Sequence, residues 1–319
     1  MAARSPSQTP HLPVMVDQLV ALLVHEPRVG GLYLDATVGA GGHSRALLEA
    51  AGPGARVVAF DRDERALEAA AAELREFGDR VELVHADFRE APARLRGQAL
   101  DGSVADLGVS SLQLDDSEAG FSFRLPGPLD MRMDRRRGKT ASDIVNGLPE
   151  DQLARLLWEF GEERASRRVA AAIVAARRRS PIGRTEELAE IVRSAVGRGR
   201  GRTDSSTRTF QALRIAVNDE LSGLNRFLGE VVDLLRPGGR LAVISFHSLE
   251  DRIVKRTLRR LAGRPINLTG EPAPAAAGPK VKLLTRKPVR PSRAEVEANR
   301  RCRSARLRAA EKLDQEKRL

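Results

Sequence analysis

Alternation of short apolar strands with helices is the feature that most narrows what this chain can fold into. Gly31-Leu-Tyr-Leu-Asp35 is a strand pattern that runs into Ala36-Thr-Val-Gly-Ala-Gly-Gly-His-Ser44 and then a helical stretch, 45–51. A second strand over 56–61 leads into an Ala/Glu/Leu-rich helix from about 64 to 77. A third, Val81-Glu-Leu-Val-His85, ends at Asp87-Phe88, and a fourth, Gly102-Ser-Val-Ala-Asp106, ends in Leu107-Gly-Val-Ser-Ser111. Strands and helices in this order imply right-handed βαβ units on a parallel sheet.

The alternation then stops for about a hundred residues. From 120 to 149 the chain reads as loop, with Pro126, Gly127 and Pro128, and from 151 to 196 as Arg/Ala-rich helix. Residues 197–206 form a Gly/Arg/Ser stretch expected to be a flexible surface loop. The pattern resumes with a helix over 209–235, a turn at Pro237-Gly-Gly239 and a fifth strand over 240–246; a Pro/Ala/Gly-rich connection, 271–279, precedes an extended stretch at 281–285 and a basic C-terminal segment. The length, 319 residues, fits one α/β domain at 11–115 and 207–319, interrupted by a mainly helical insertion at 116–206. Residues 1–10 read as a mobile tail, and no internal repeat is visible.

Charge is segregated along this frame. Residues 131–202 carry 17 Lys/Arg against 10 Asp/Glu, and 280–319 carry 14 against 5, while the whole chain is only +11, so the remainder is acidic. A codon bias toward arginine, 47 Arg to 7 Lys, raises basicity everywhere and does not segregate it. Segregated positive charge suits a polyanion, because phosphate neutralisation with counterion release supplies most non-specific affinity for nucleic acid. The longest apolar run, 169–176, is far short of the roughly 20 residues a spanning helix needs. The first ten residues lack the apolar core of a secretory signal, so the expected location is cytoplasmic. One cysteine, Cys302, excludes an intrachain disulfide and a cysteine-based zinc site, and the five histidines are too scattered for a ligand cluster; no metal is expected.

A strand that opens through glycines into a helix places backbone N–H groups beside a ligand, and glycine keeps Cβ atoms out of its way. Asp61 ends the next strand, 19 residues after Gly42, where a carboxylate can accept from a ribose diol. A dinucleotide fingerprint would need a third glycine where Ser44 stands. The turn instead reads Asp-x-Thr-x-Gly-x-Gly-Gly, with an acid at the strand end that suits a cationic ligand; S-adenosylmethionine fits it better than a nicotinamide dinucleotide. Asp87-Phe88 offers an acceptor and a ring where adenine would lie, although Phe88 also reads as a plain core aromatic. Asp106, and the set Ser245-Phe-His-Ser-Leu-Glu-Asp-Arg252, fall at the carboxyl ends of strands, where open α/β sheets bind ligands.

Several long motifs, in order, resemble one family: Asp35-Ala-Thr-Val-Gly-Ala-Gly-Gly-His-Ser44, Asp106-Leu-Gly-Val-Ser-Ser-Leu-Gln-Leu-Asp115, Gly120-Phe-Ser-Phe123, Leu129-Asp-Met-Arg-Met-Asp134, Thr209-Phe-Gln-Ala-Leu-Arg-Ile215 and Ser245-Phe-His-Ser-Leu-Glu-Asp-Arg252. With His11-x-Pro13-Val14 and the closing run from Asn299 to Arg308, they look like the bacterial 16S rRNA cytosine-N4 methyltransferase family (RsmH/MraW), over nearly all of 11–310. The resemblance implies a class I S-adenosylmethionine-dependent methyltransferase, Rossmann-like, with a helical RNA-recognition domain inserted after the fourth strand. It implies methyl transfer to the exocyclic N4 of cytidine 1402 in the decoding centre of small-subunit rRNA, in the ribosomal subunit or an assembly intermediate, with a homodimer left open. By position, the cofactor residues would be Gly41, Gly42, His43, Asp61, Phe88, Asp106 and Gln113. Ala119 departs from the Arg the family usually has before Gly-Phe-Ser-Phe, and Cys302 stands where another small residue is usual.

A cytosine amine is a poor nucleophile while its lone pair is conjugated with the ring, so an acceptor must hold it in line with the methyl donor. The Asp/Asn-Pro-Pro-aromatic turn that many amino-methyltransferases use is absent after the fourth strand. Asp106, with Ser110 or Ser111 and carbonyls near Gly108, is expected to hold the cytosine edge, and His247 to accept or relay the proton; alternatively His247 only ties the strand end to the next helix. Reaching N4 requires an unpaired or flipped base, and with few aromatics, shape and phosphate contacts should dominate recognition. Two rivals are a DNA amino-methyltransferase, disfavoured by the missing turn, and a non-catalytic RNA-binding assembly factor, disfavoured by the intact Gly41, Gly42, Asp61 and Asp106.

Overall fold

The computed structural model describes residues 13–25, 30–197, 204–267, 271 and 278–314, and of Ser111 the backbone alone. The expected tail, His11, and most of the 197–206 and 271–279 stretches lie outside the described residues. The chain divides into two compact units, Met1–Gly108 with Gly223–Leu319, and Val109–Ser222.

The first unit is a seven-stranded sheet in the order β3-β2-β1-β4-β5-β7-β6. Its strands are β1 (Leu32–Asp35), β2 (Arg56–Asp61), β3 (Val81–His85), β4 (Leu100–Asp106), β5 (Leu235–Ser245), β6 (Val281–Leu283) and β7 (Arg306–Lys312). β1 to β5 pair with one another in parallel, and the order reverses between β1 and β4, the topological switch point where such sheets bind ligands. Alternate side chains serve opposite faces. Leu34, Val58, Phe60, Leu241 and Val243 pack with α4 (Ala91–Arg94), α11 (Leu224–Leu234) and α12 (Ser248–Leu261). Tyr33, Val57 and Ala59 pack on the other face with α2 (Gly42–Ala51) and α3 (Glu64–Glu73), as Ala242 and Ile244 do with α1 (Val16–Leu23).

Three sequence expectations are corrected here. The sheet is not wholly parallel: the basic C-terminal segment, after α13 (Arg293–Ala298), supplies β7, antiparallel to both β5 and β6. Leu307, Ala309 and Ala310 are buried, and Arg308 is buried with them because its guanidinium donates to Asp251 of α12. The Pro237-Gly-Gly239 turn lies inside β5, where register jumps from Leu100↔Leu235 to Gly102↔Arg240. A Cβ on Gly239 would sit 2.9 Å from the carbonyl oxygens of Leu100 and Arg236, so glycine permits this bulge. The helix expected over 209–235 is two, α10 (Thr207–Asn218) and α11, separated where Asp219 and Gly223 adopt left-handed backbone.

The second unit is helical: α5 (Ser111–Asp115), α6 (Ala141–Gly147), α7 (Glu150–Gly161), α8 (Ser166–Arg177), α9 (Thr185–Val196) and α10, around Leu153, Leu157, Val169, Ile173, Leu188, Val192, Phe210 and Leu213. The stretch read as loop over 120–149 contains α6, whose start is fixed by Thr140 and Asp143 in a reciprocal capping box. The helical stretch 151–196 breaks after Gly161, where Glu162 is left-handed and a Cβ on Gly161 would lie 2.6 Å from the Arg208 carbonyl. That close approach of α7 to α10 places α10 in this unit; the unit's limits are 109 and 222, against 116 and 206 from sequence. Ala119 is fully buried in this core.

Candidate active site

The carboxyl edge of the first sheet gathers carboxylates that an apolar core cannot explain. Asp35 closes β1, almost fully buried; its Oδ1 accepts from the Thr37 N–H at 3.1 Å and its Oδ2 from the Ser44 hydroxyl at 2.7 Å. The Thr37 hydroxyl oxygen accepts from the Asp106 N–H at 2.7 Å, which ties the glycine turn to the end of β4. Asp61 closes β2, and its two oxygens accept from the Gly39 N–H at 3.0 Å and the Asp63 N–H at 2.9 Å. It therefore braces the same turn from the other side. Asp63 in turn caps α3.

The glycines have local reasons to be glycine. Gly39 and Gly41 have φ of +53° and +91°, and a Cβ on Gly41 would crowd Leu74 at 3.2 Å. Gly42 has ordinary φ, but a Cβ there would meet Pro13 Cγ at 2.7 Å. Part of the expectation that glycines serve only ligand approach is thus replaced by packing on Pro13 and Leu74. Beside Pro13, the Val14 carbonyl lies 2.8 Å from His43 Nε2, which must carry the hydrogen. In neutral His43 that leaves the lone pair on Nδ1, 3.7 Å from Asp106 Oδ2.

Asp106 is the least satisfied group at this edge. Its Oδ1 is buried and has no hydrogen-bond partner, while its side chain as a whole keeps 23% of its surface open. Burial pushes its carboxyl up to about 6, aided by the like charges of Asp35 and Glu250 and opposed by His43. Asp61 is raised to about 6, again chiefly by burial, against the two backbone N–H groups that favour its ionised form. Asp35 is raised for the same leading reason. A carboxylate that is buried, raised and unpartnered has capacity left for an amine, hydroxyl or cation.

Asp87 and Phe88 are more committed than the sequence suggested. Both oxygens of Asp87 accept from the Arg89 guanidinium at 2.8 Å, and Arg62 lies 3.8 Å away. The Phe88 ring meets Phe227 edge-on at 4.7 Å between centroids and packs at the margin of the core. The Arg89 guanidinium lies over the same ring, 6.0 Å from its centroid, so the packing reading of Phe88 holds.

His247 is the N-cap of α12. Its Nδ1 accepts from the Glu250 N–H at 3.4 Å, and Glu250 Oε2 accepts from the N–H groups of Phe246 at 2.9 Å and His247 at 3.3 Å. Glu250 Oε1 stands 3.0 Å from Nε2, without the alignment of a hydrogen bond. The lone pair a base would use is thus turned into the helix. Ser110, Ser111 and Gln113 begin the second unit at α5: the Ser110 hydroxyl accepts from the Gln113 N–H at 3.3 Å, and the buried Gln113 side chain accepts from the Ser110 N–H at 3.0 Å. The Ser111 side chain lies outside the described residues.

Sequence reading missed Thr37, Asp63 and Glu250. The Asp-x-Thr turn and the three-residue spacing from His247 to Glu250, that of a capping box, were the signals. A cationic, ribose-bearing methyl donor fits this edge: Asp106 Oδ1 is an orphaned acceptor, and Gly41 begins a helix with its N–H groups toward the turn.

Among the described residues, no helix is long and apolar enough to cross a membrane. The family model described as the MraW methylase family matches residues 8–313. The chain is 48% identical over 309 residues to "Ribosomal RNA small subunit methyltransferase H" of Geotalea uraniireducens, covering 95% of this chain and 98% of that one. It is 50% identical over 318 residues to the protein of the same name from Methylobacterium sp. (strain 4-46), covering 97% and 92%. A match that runs through the sheet, its carboxyl edge and the helical unit alike leaves one assignment: the chain belongs to the MraW methylase family and is an S-adenosylmethionine-dependent methyltransferase.

Proposed function

We propose that this enzyme methylates the exocyclic N4 of cytidine 1402 in small-subunit ribosomal RNA. The relatives' shared name points to the substrate; the observation that carries the chemistry is Asp106, a raised carboxylate with a buried, unpartnered oxygen beside the glycine turn. Gly41, Gly42, His43, Asp61, Phe88, Asp106 and Gln113 would hold the cofactor, which when bound supplies a methyl group on a sulfonium. Asp61 would take the ribose hydroxyls with the lone pairs its two backbone donors leave over. Asp106 accepts from the exocyclic amine, localises the nitrogen lone pair and takes the proton that nitrogen loses on methylation. A carboxylate titrating near 6 is a better proton acceptor than one at the ordinary carboxylate value. His43, pinned by the Val14 carbonyl, stands with Nδ1 3.7 Å from that carboxylate. Ser110 and Ser111 hold the rest of the cytosine edge, and His247 aligns the strand end by capping α12.

The helical unit supplies RNA contacts through cations in surplus over their partners. Arg136 and Arg137, 60% and 69% exposed, share the single carboxylate of Asp134, and Arg135 lies 3.6 Å from Asp116. The test is nucleoside mass mapping after incubating the protein with labelled S-adenosylmethionine and 16S rRNA or small-subunit particles, with DNA as a second arm. N4-methylcytidine at 1402 is the expected product; label in DNA, or at another atom or nucleotide, would overturn the reading.

A further inference from the structure

Between Arg252 and Arg264 the chain carries six cations and no acid, in a part whose overall balance, outside the two basic segments already described, is negative. α12 arranges them with purpose. Leu249, Val254, Thr257, Leu258 and Leu261 are buried on its inner face. Arg252, Lys255 and Arg260 are exposed and Arg256 and Arg259 half-buried on the opposite one. Lys255, Arg259, Arg260 and Arg264 have no carboxylate partner among the described residues. The acids of neighbouring α11 are engaged elsewhere, Glu230 by Arg226 at 2.7 Å and Asp233 by Lys280 at 2.7 Å.

A helix face evolved only for solvation interleaves opposite charges at i,i+4. Here Arg252/Arg256, Lys255/Arg259 and Arg256/Arg260 are like-charge pairs at that spacing, which disfavours the helix. The negative carboxyl end of the helix dipole offsets this for Arg259 and Arg260 in the last turn, but not for Lys255. Lys255, Arg259, Arg260 and Arg264, kept without a carboxylate on one side of the molecule, suit a polyanion. α12 starts at His247, at the end of β5 and hence at the carboxyl edge that holds Asp106, and its cations recur once per turn, about every 5 Å, leading away from it.

We propose that the outward face of α12 is a phosphate-contact surface in the methyltransferase unit itself, along which the RNA strand leading to the target base is held. This rests on the RNA-substrate reading above and adds a third basic element, separate from the helical unit and the C-terminal segment. A protein partner would call for apolar anchors on the same face, and the exposed positions there are all cations.

The experiment compares the full chain with a triple variant, Lys255→Ala, Arg259→Ala and Arg260→Ala, binding in vitro transcribed 16S rRNA across a potassium chloride series. Each lost phosphate contact should reduce the log–log salt slope by roughly 0.7 to 0.9. The expected result is a slope lower by about 2 and an affinity lower by roughly tenfold or more at low salt, with S-adenosylmethionine affinity unchanged and the melting temperature no lower than the parent's. The charge-conserving variant Lys255→Arg, Arg259→Lys and Arg260→Lys should retain the slope. An unchanged slope and affinity in the alanine variant, with the parent still binding RNA, overturns the α12 surface alone. A loss confined to binding of phosphatidylglycerol vesicles overturns it as well and assigns the face to a membrane. If the parent shows no salt-dependent RNA binding at all, it is the RNA-substrate reading that fails, and this inference with it.

Discussion

Three strand-end acids of the sheet unit and three acids of the helical unit lead opposite lives. In the sheet unit, Asp35, Asp61 and Asp106 sit at strand ends, the first buried and the others half-buried, with carboxyls raised by desolvation and with one oxygen of Asp106 unmet. In the helical unit, Asp130, Asp134 and Asp204 are each gripped by an arginine, Arg132 at 2.8 Å, Arg136 at 2.8 Å and Arg193 at 2.9 Å, and their carboxyls are held below the usual carboxylate range. The first arrangement leaves electrostatic capacity for a ligand and sacrifices stability of the ligand-free fold. The second uses negative charge to position arginines and leaves a surplus of cations outside. Negative charge unmet at Asp106 and neutralised at Asp130, Asp134 and Asp204 is what a cationic cofactor and a polyanionic substrate respectively require.

The largest effect should come from Asp106. Asp106→Asn removes the proton acceptor while keeping the shape, and single-turnover methyl transfer at saturating cofactor should fall by about 100- to 10,000-fold; a rate within a few-fold of the parent would dissolve the contrast between the units. Next, Asp61→Ala should weaken S-adenosylmethionine binding roughly 10- to 100-fold by calorimetry, since a charge-assisted bond is worth on the order of 1.5 to 3 kcal/mol. In the helical unit, Arg136→Ala with Arg137→Ala should leave cofactor affinity untouched and lower the salt slope of RNA binding by roughly 1 to 2. An unaltered slope would reassign these arginines to the solvent. The smallest effect belongs to His247→Asn: asparagine is among the best N-caps, so turnover should stay within a few-fold at every pH. A fall of a hundredfold or more would return the role of base to the ring.

Much of this was legible in the sequence because strand ends announce themselves. Asp35, Asp61, Asp87 and Asp106 each follow an apolar run, and strand alternation fixes which edge they share. β7 was illegible because its core-facing residues are interleaved with Arg306, Arg308, Glu311 and Lys312, and its burial depends on Asp251 of α12 accepting from Arg306 and Arg308, a long-range pairing without a local mark. The break between α10 and α11 hid for the opposite reason: Asn218-Asp219 looks like ordinary helix interior until Asn218 is seen bonding Met131 and Met133 in a distant loop. His43 stands out in the sequence only through the family resemblance, and only the fold brings the Val14 carbonyl and Asp106 to its two nitrogens.

The sharpest test is S-adenosylmethionine affinity as a function of pH, measured by calorimetry on the parent and on Asp61→Asn and Asp106→Asn. The sign follows from raised carboxyls: between the ordinary value of 3.8 and about 6 the ligand-free fold holds protons on Asp61 and Asp106 that a cationic ligand must expel. Ligand-free stability should therefore decline as pH rises through that window by these two groups' contribution, and cofactor affinity should weaken as pH falls below about 6. The predicted result is an affinity loss of roughly tenfold per pH unit for each carboxylate involved, with each asparagine variant weaker at pH 7.5 and flatter in its pH response. A parent enzyme that binds the cofactor with the same affinity from pH 7.5 to pH 5 would contradict the claim that these carboxylates are held in reserve for it.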